Sequence, residues 1–188
     1  MKAALSSLLL LSLLSYAAAA QENARLDRHT LRTLAAACAP NVDPDTIEAI
    51  VQTESAFHPF AISVNHPSRA ALTYGYPGSD LLLAKQPKDR QQAIRWSRWL
   101  LNHGYTVSLG LMQVNVELAA RLRVAPVKLF DPCVNLSAGA RILEADYRSQ
   151  SRGLDGLIRA FSMYNSGDPS TGVLNGYADS IIRNTPKP

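Results

Sequence analysis

Glu54 lies in the segment AIVQTESAFHPFAIS, and two further polar clusters follow it: SLGLMQVN at residues 108–115 and FSMYNSG at residues 161–167. A lone carboxylate set against apolar surroundings can give a proton to a bridging oxygen and later take one back, because partial desolvation disfavours its ionised form. Gly110 allows close backbone approach, and Gln113 can donate and accept hydrogen bonds toward a hydroxyl or an acetamido group. Tyr164 and Asn165 end a helical run closed by Gly167. There a tyrosine hydroxyl could bond near the acid, and the asparagine could equally serve as a C-cap.

Other chemistries find less support. His29, His58, His66 and His103 are scattered, with no pair at metal-ligand spacing on one helix. Neither G-x-S-x-G nor a glycine-rich phosphate loop occurs. No metal or cofactor is therefore expected. Arg90, Arg95 and Arg98 beside Trp96 and Trp99 come nearest to a nucleic-acid stripe, and a solvated helix face explains them better. No nucleic-acid partner is expected.

The elements that must position these residues are mostly helices. Leu31, Leu34, Ala35 and Cys38 form an apolar stripe that puts Cys38 on the core side of a first helix. Asp43-Pro44-Asp45 starts a second, with an N-cap acid, a first-turn proline and an acid at the positive dipole end. Ile47, Ile50 and Val51 share one face of it, and Glu54 belongs to that face by spacing. Glu48 points away from the stripe and is expected in solvent. Glu54, near the helix C-terminus, meets the negative end of the dipole as well as the apolar face, and both raise its pKa.

Short β-like runs at 61–64, 70–74 and 105–109 could form a small sheet flanking a cleft. Pro87 opens a helix through Leu101, with Ile94, Ser97 and Leu101 on one side and Gly104 as its cap. Asn115 can cap a helix over 116–122, and Asp131-Pro132 starts a longer one. In that helix Cys133, Leu136, Ala140, Leu143 and Tyr147 form an inward stripe. Asp155 begins another helix that runs to Tyr164, and residues 177–183 make a short last one. The class is α+β, mainly α.

The chain ends set the compartment. Lys2, an apolar run over 5–14 and the small residues Ala18 and Ala20 read as a cleavable signal peptide over residues 1–20. That run is too short for a comfortable membrane span, so stable insertion after cleavage is not expected. One domain over 21–184 and a short tail at 185–188 remain, with a mildly basic balance from the formal net charge of +4. Two cysteines in an exported chain favour a Cys38–Cys133 disulfide over metal binding or nucleophilic catalysis, with two buried free thiols as the alternative.

Taken together, Glu54-Ser55, Gly110-Leu111-Met112-Gln113 and Met163-Tyr164-Asn165 resemble the ordered motifs of the soluble lytic transglycosylases. LGLMQVN, FDPCVNLSAGARIL and MYNSGDPSTGVLNGYA are similar to the small transglycosylases of type IV secretion and conjugation systems. The resemblance implies a goose-type lysozyme-like helical domain with a small sheet flanking the cleft. It further implies action on peptidoglycan glycan strands, with type IV secretion or conjugation components as partners; the leader makes the periplasm the expected compartment, and a monomer is expected. Glu54 becomes the catalytic acid and base, and Ser63, Gln113, Asn115, Tyr164, Asn165 and Tyr177 become substrate contacts, with Tyr164 and Gln113 orienting the acid and the acetamido group. His58 and Met163 depart from the family pattern, where asparagine and alanine are common.

Two rival readings stand beside this one. A hydrolytic muramidase on the same fold needs a second carboxylate to hold water, and Asp168 is its candidate, although Asp168-Pro169 also reads as a turn. A wall-binding or assembly module would instead use the arginines of 90–98 to dock a secretion component.

Overall fold

The computed structural model describes residues 25–67, 83 and 85–187. The leader expected over 1–20 and the β-like run at 70–74 lie outside the described residues. Helix α1 (Arg28–Cys38) is started by Asp27, whose carboxylate accepts from Thr30 N at 2.9 Å. Helix α2 (Pro44–Ser55) has the expected Asp43 N-cap, which accepts from Asp45 N at 2.8 Å. Ile47, Ile50 and Val51 are fully buried, as their spacing requires.

Glu48 is not in solvent. It is 2% exposed and paired with Arg28 and Arg32, the second at 3.0 Å. Helix α2 packs against α1 on one side and the last helix on the other, so more than one stripe of it is covered. Arg28 and Arg32 stand one turn apart on α1, and together they compensate the carboxylate they bury.

Strand β1 (Ile62–Pro67) pairs antiparallel with β2 (Tyr105–Leu109), with Ser63 opposite Ser108 and a register shift between Val64 and Pro67. The third strand, β3, is Val114–Asn115, which pairs antiparallel with β2, so the sheet order is β1-β2-β3. Between β1 and β2 runs α3 (Arg90–Asn102). It begins later than Pro87 because Asp89 caps it, accepting from Gln92 N at 2.7 Å while Gln92 returns a bond to Lys88 N. Ser97 is buried on its inner side with Ala93 and Leu100, and the arginines are exposed.

Asn115 caps the short α4 (Val116–Arg121) through Glu117 N at 2.8 Å. After a 3-10 turn at Pro126–Phe130, Asp131 caps α5 (Pro132–Arg148). Leu136, Ala140 and Leu143 are buried along α5, but Cys133 at its first turn is exposed and so leaves the inward stripe. It nonetheless closes the expected disulfide with Cys38, joining the end of α1 to the start of α5. Helix α6 (Leu154–Ser166) ends at Gly167, whose left-handed φ of 72° suits glycine. The four-residue α7 (Thr171–Leu174) and α8 (Tyr177–Asn184) complete the chain, with Ala178 and Ile181 of α8 buried against α2 and α6. The fold is mainly helical with one small antiparallel sheet.

Candidate active site

Glu54 is the penultimate residue of α2, and the helix stops just beyond it because Ala56 and Phe57 both adopt left-handed angles, φ 47° and 67°. Arg25 holds this end by donating to the carbonyls of Ser55, at 3.3 Å, and Ala56. The Glu54 residue keeps an edge on the solvent, yet protein surrounds its carboxyl. Burial raises its pKa from the usual 4.5 to about 7, against the opposing effect of a hydrogen bond from the Tyr177 hydroxyl to Oε1. The Tyr177 hydroxyl is itself pushed well above its ordinary range, by burial first and then by the Glu54 charge, so it remains a donor. A carboxyl poised near neutrality can both release and accept a proton.

The second cluster is the turn between β2 and β3. Gly110 sits at φ 79°, and a Cβ there would come within 2.3 Å of Asn135 Nδ2 and 2.4 Å of the Leu129 carbonyl oxygen. Gln113 also takes a left-handed φ of 46°. Its Nε2 donates to the carbonyls of Gly110, at 2.8 Å, and Ala61, at 3.2 Å. The donor end of the amide is thus engaged inside the protein, which leaves Gln113 an acceptor.

Three side chains fix this turn. Ser55, the residue after the acid, donates from Oγ to the Leu111 carbonyl at 2.8 Å. Tyr164 donates to the Met112 carbonyl at 2.8 Å. Asn135 of α5 accepts from Met112 N at 2.8 Å and donates to the carbonyls of Leu109 and Leu129 at 2.7 and 2.9 Å. Tyr164 therefore orients the turn rather than the acid, because the Met112 carbonyl is its partner, and Tyr177 is the tyrosine on Glu54. Asn135 was not anticipated. An asparagine beside the buried Leu136, at the head of an apolar stripe, was the available signal.

Asn135 is fully buried and fully bonded, so its loss strands three backbone groups at once. Asn135→Leu is expected to destabilise the fold by on the order of 3 kcal/mol, lowering Tm by roughly 6–12 °C in a domain of this size. Thermal melts followed by circular dichroism measure it, and an unchanged Tm would contradict the anchoring role.

A cleft of about 1080 Å³ runs past Glu54. Ser63, Gln113, Asn115, Tyr164 and Asn165 all line it, so the structure brings together most of the residues singled out in the sequence. Tyr177 is not in the lining and reaches the site through Glu54. Asn165 is exposed and accepts from Asn175 at 3.1 Å, while Gly167 supplies the C-cap. Asn115 combines a place on the cleft wall with its capping bond.

Asn65, Ser108, Arg121, Arg141 and Asp146 also line the cleft, where no local motif of the sequence places them. Asp168 is exposed and outside the lining, with Oδ1 accepting from Ser170 N and from the Thr171 backbone and hydroxyl. It is a turn residue. His58 is buried, its Nδ1 accepts from Phe60 N at 3.1 Å, and burial lowers its pKa. Among the described residues, no cluster of three or more His, Cys, Asp or Glu could hold a metal ion, and no helix is long and apolar enough to cross a membrane.

Residues 33–180 match the family model described as the Transglycosylase SLT domain. The chain is 37% identical over 140 residues to the type IV secretion system protein virB1 of Brucella abortus, covering 72% of this chain and 53% of that protein. It is 31% identical over 147 residues to protein virB1 of Agrobacterium fabrum, covering 77% of this chain and 54% of that protein. The chain spans about half the length of the curated relatives it matches. No solved structure shows a significant match.

Proposed function

Because the chain belongs to the transglycosylase SLT domain family, we propose that it is a peptidoglycan lytic transglycosylase in which Glu54 acts first as acid and then as base. The observation that carries this reading is the Glu54 carboxyl itself, held near neutral pKa beside a cleft of about 1080 Å³ with Tyr177 as its side-chain partner. Glu54 gives its proton to the oxygen joining N-acetylmuramic acid to N-acetylglucosamine, and the C1–O bond breaks. The substrate's N-acetyl group supports the cationic C1, as in glycosidases that lack a carboxylate nucleophile. The C6 hydroxyl then attacks C1 while Glu54 recovers a proton from it. One glycosidic bond is exchanged for a 1,6-anhydro bridge, and no water is consumed.

The substrate-binding role of Ser63, Gln113, Asn115, Tyr164 and Asn165 is supported by their place on the cleft wall. Similarity to a type IV secretion system protein of Brucella abortus supports placing this chain with a type IV secretion or conjugation apparatus, and local opening of the wall from the periplasm is the role we propose for it there. Hydrolysis on the same fold is the second reading. Asp168 is engaged in its turn, so that reading now rests on Asp146, a carboxylate that does line the cleft. Purified sacculi digested with the protein test the proposal: soluble muropeptides with anhydro ends are expected. Products carrying only reducing ends would favour hydrolysis.

Tyr177 supplies a narrower test. Its hydrogen bond stabilises the carboxylate form of Glu54 and so opposes the effect of burial. In Tyr177→Phe the Glu54 pKa rises further, and the alkaline limb of the pH–rate profile moves above about 7. Turnover falls by roughly tenfold, since a hydrogen bond to the charged intermediate form is lost. An alkaline limb that stays in place would contradict the coupling.

A further inference from the structure

Among the described residues, two buried side-chain atoms have no hydrogen-bond partner, Gln113 Oε1 and Asp146 Oδ2. Both belong to residues that line the Glu54 cleft. Folded proteins seldom leave buried polar atoms unpaired, and each exception calls for a physical reason. Here both exceptions fall in one cavity, and both are acceptors. Gln113 can offer nothing else, since its Nε2 is bonded to Gly110 and Ala61. Asp146 projects from α5 one turn beyond Ile142, with Ala145 beside it, and all three line the cleft.

No ion pair among the described residues joins Asp146 to Arg121 or Arg141, which share that lining. Burial alone lifts the Asp146 pKa to about 6, and its charge bears on Tyr164, which holds the Met112 carbonyl of the Gln113 turn. The free protein therefore keeps a half-buried carboxylate whose inner oxygen, Oδ2, has no hydrogen-bond partner in the fold.

We propose that Asp146 is a substrate-positioning residue that accepts a hydrogen bond from the amino-sugar chain, either from an acetamido N–H or from a ring hydroxyl, in the cleft that Gln113 also lines with an unpaired acceptor. The assignment rests on the glycan-cleaving reading above and goes beyond it by giving a role to a residue that the proton transfer does not use. The sugar's donor supplies the bond that the fold withholds. Stability is lower without the glycan, and an unpaired polar group of this kind is what binding sites retain.

The test is carried out on the full chain in the Glu54→Gln background, where glycan binds without turnover. Calorimetry measures the Kd for the β-1,4 tetramer of N-acetylglucosamine and for cellotetraose, which presents ring hydroxyls and no acetamido group. Asp146→Leu is expected to weaken binding of the N-acetyl ligand by about tenfold or more, and Asp146→Asn, which keeps one acceptor oxygen, by less. Loss confined to the N-acetyl ligand assigns the donor as its N–H, and equal loss for cellotetraose assigns a hydroxyl. At about pH 8, where the carboxylate is ionised, both variants should melt at higher temperature than the parent. In the active chain, Asp146→Asn should raise KM and leave kcat unchanged.

Parent-like affinity in Asp146→Leu would overturn the assignment while leaving the glycan reading intact. So would weaker binding accompanied by a lower Tm, the mark of a merely structural residue, or a fall in kcat at constant KM, the mark of a base acting on water. A parent that binds neither sugar would overturn the glycan reading and the subsite together.

Discussion

Glu54→Gln is expected to lower anhydro-muropeptide release by roughly 10³-fold or more, with glycan binding preserved. General acid–base groups commonly contribute about 10²–10⁴-fold, and here one residue serves both proton transfers, so both steps fail together. Glutamine has nearly the same shape and can still accept from Tyr177, which keeps the change local. The same substitution should stabilise the fold. The folded pKa of about 7 lies above the usual 4.5, so between those values the folded state binds more protons than the unfolded state. Stability consequently falls as pH rises through that window. The gain from Glu54→Gln should be absent below about pH 4.5, grow through the window and level off above about pH 7, at on the order of 2 kcal/mol once solvent screening of the partly exposed group is allowed for. Thermal melts of parent and variant across pH measure it, and a Glu54→Gln variant no more stable than the parent above about pH 7 would contradict the burial of the carboxyl.

The second large effect concerns the Cys38–Cys133 disulfide, which closes 95 residues of sequence. A loop of that size restricts the unfolded chain by about 4–5 kcal/mol in the chain-entropy model. The double variant Cys38→Ser, Cys133→Ser should lose on the order of 10–15 °C in Tm. The bond fastens the end of α1 to the start of α5, the helix that carries both Asn135 and Asp146. Cys133 is exposed, so a small thiol reductant should reproduce the loss in the unmodified chain. Equal melting temperatures with and without reductant would show that packing alone holds α1 to α5.

The parts of the fold legible in the sequence are those set by local chemistry. Asp43-Pro44, Asp131-Pro132 and Asn115 cap helices because a side-chain oxygen two or three residues from a free N–H needs no distant partner. The apolar stripe of Ile47, Ile50 and Val51 likewise predicts which face of α2 is buried. Glu48 defeats that reasoning because its cover comes from Arg28 and Arg32 on another helix. The two tyrosines illustrate the same limit. Both lie in a suggestive stretch, but only the packing of α8 on α2 decides that Tyr177 meets Glu54 while Tyr164 meets the Met112 carbonyl.

In the candidate site, the Gly110–Gln113 segment was legible as a place of close backbone approach, whereas its restraint by Ser55, Asn135 and Tyr164 was not. Those three bonds join residues 56, 23 and 52 positions apart, beyond the reach of any periodicity. Asp146 left a trace: it stands three residues past the buried Leu143, at core spacing, where an acid is out of place. What the structure adds is its position on the wall of the Glu54 cleft.

The central claim is that Glu54 closes an anhydro ring without water, and sacculus digestion in water labelled with heavy oxygen tests it most directly. Mass spectrometry of the released muropeptides should show anhydro ends, lighter than the reducing forms by one water, with no label in the muramic acid residue. Reducing muramic acid ends released in place of anhydro ends, with heavy oxygen at C1 beyond the exchange seen without the protein, would show that water attacks there, and the account of Glu54 as acid and then base of a transglycosylase would be wrong.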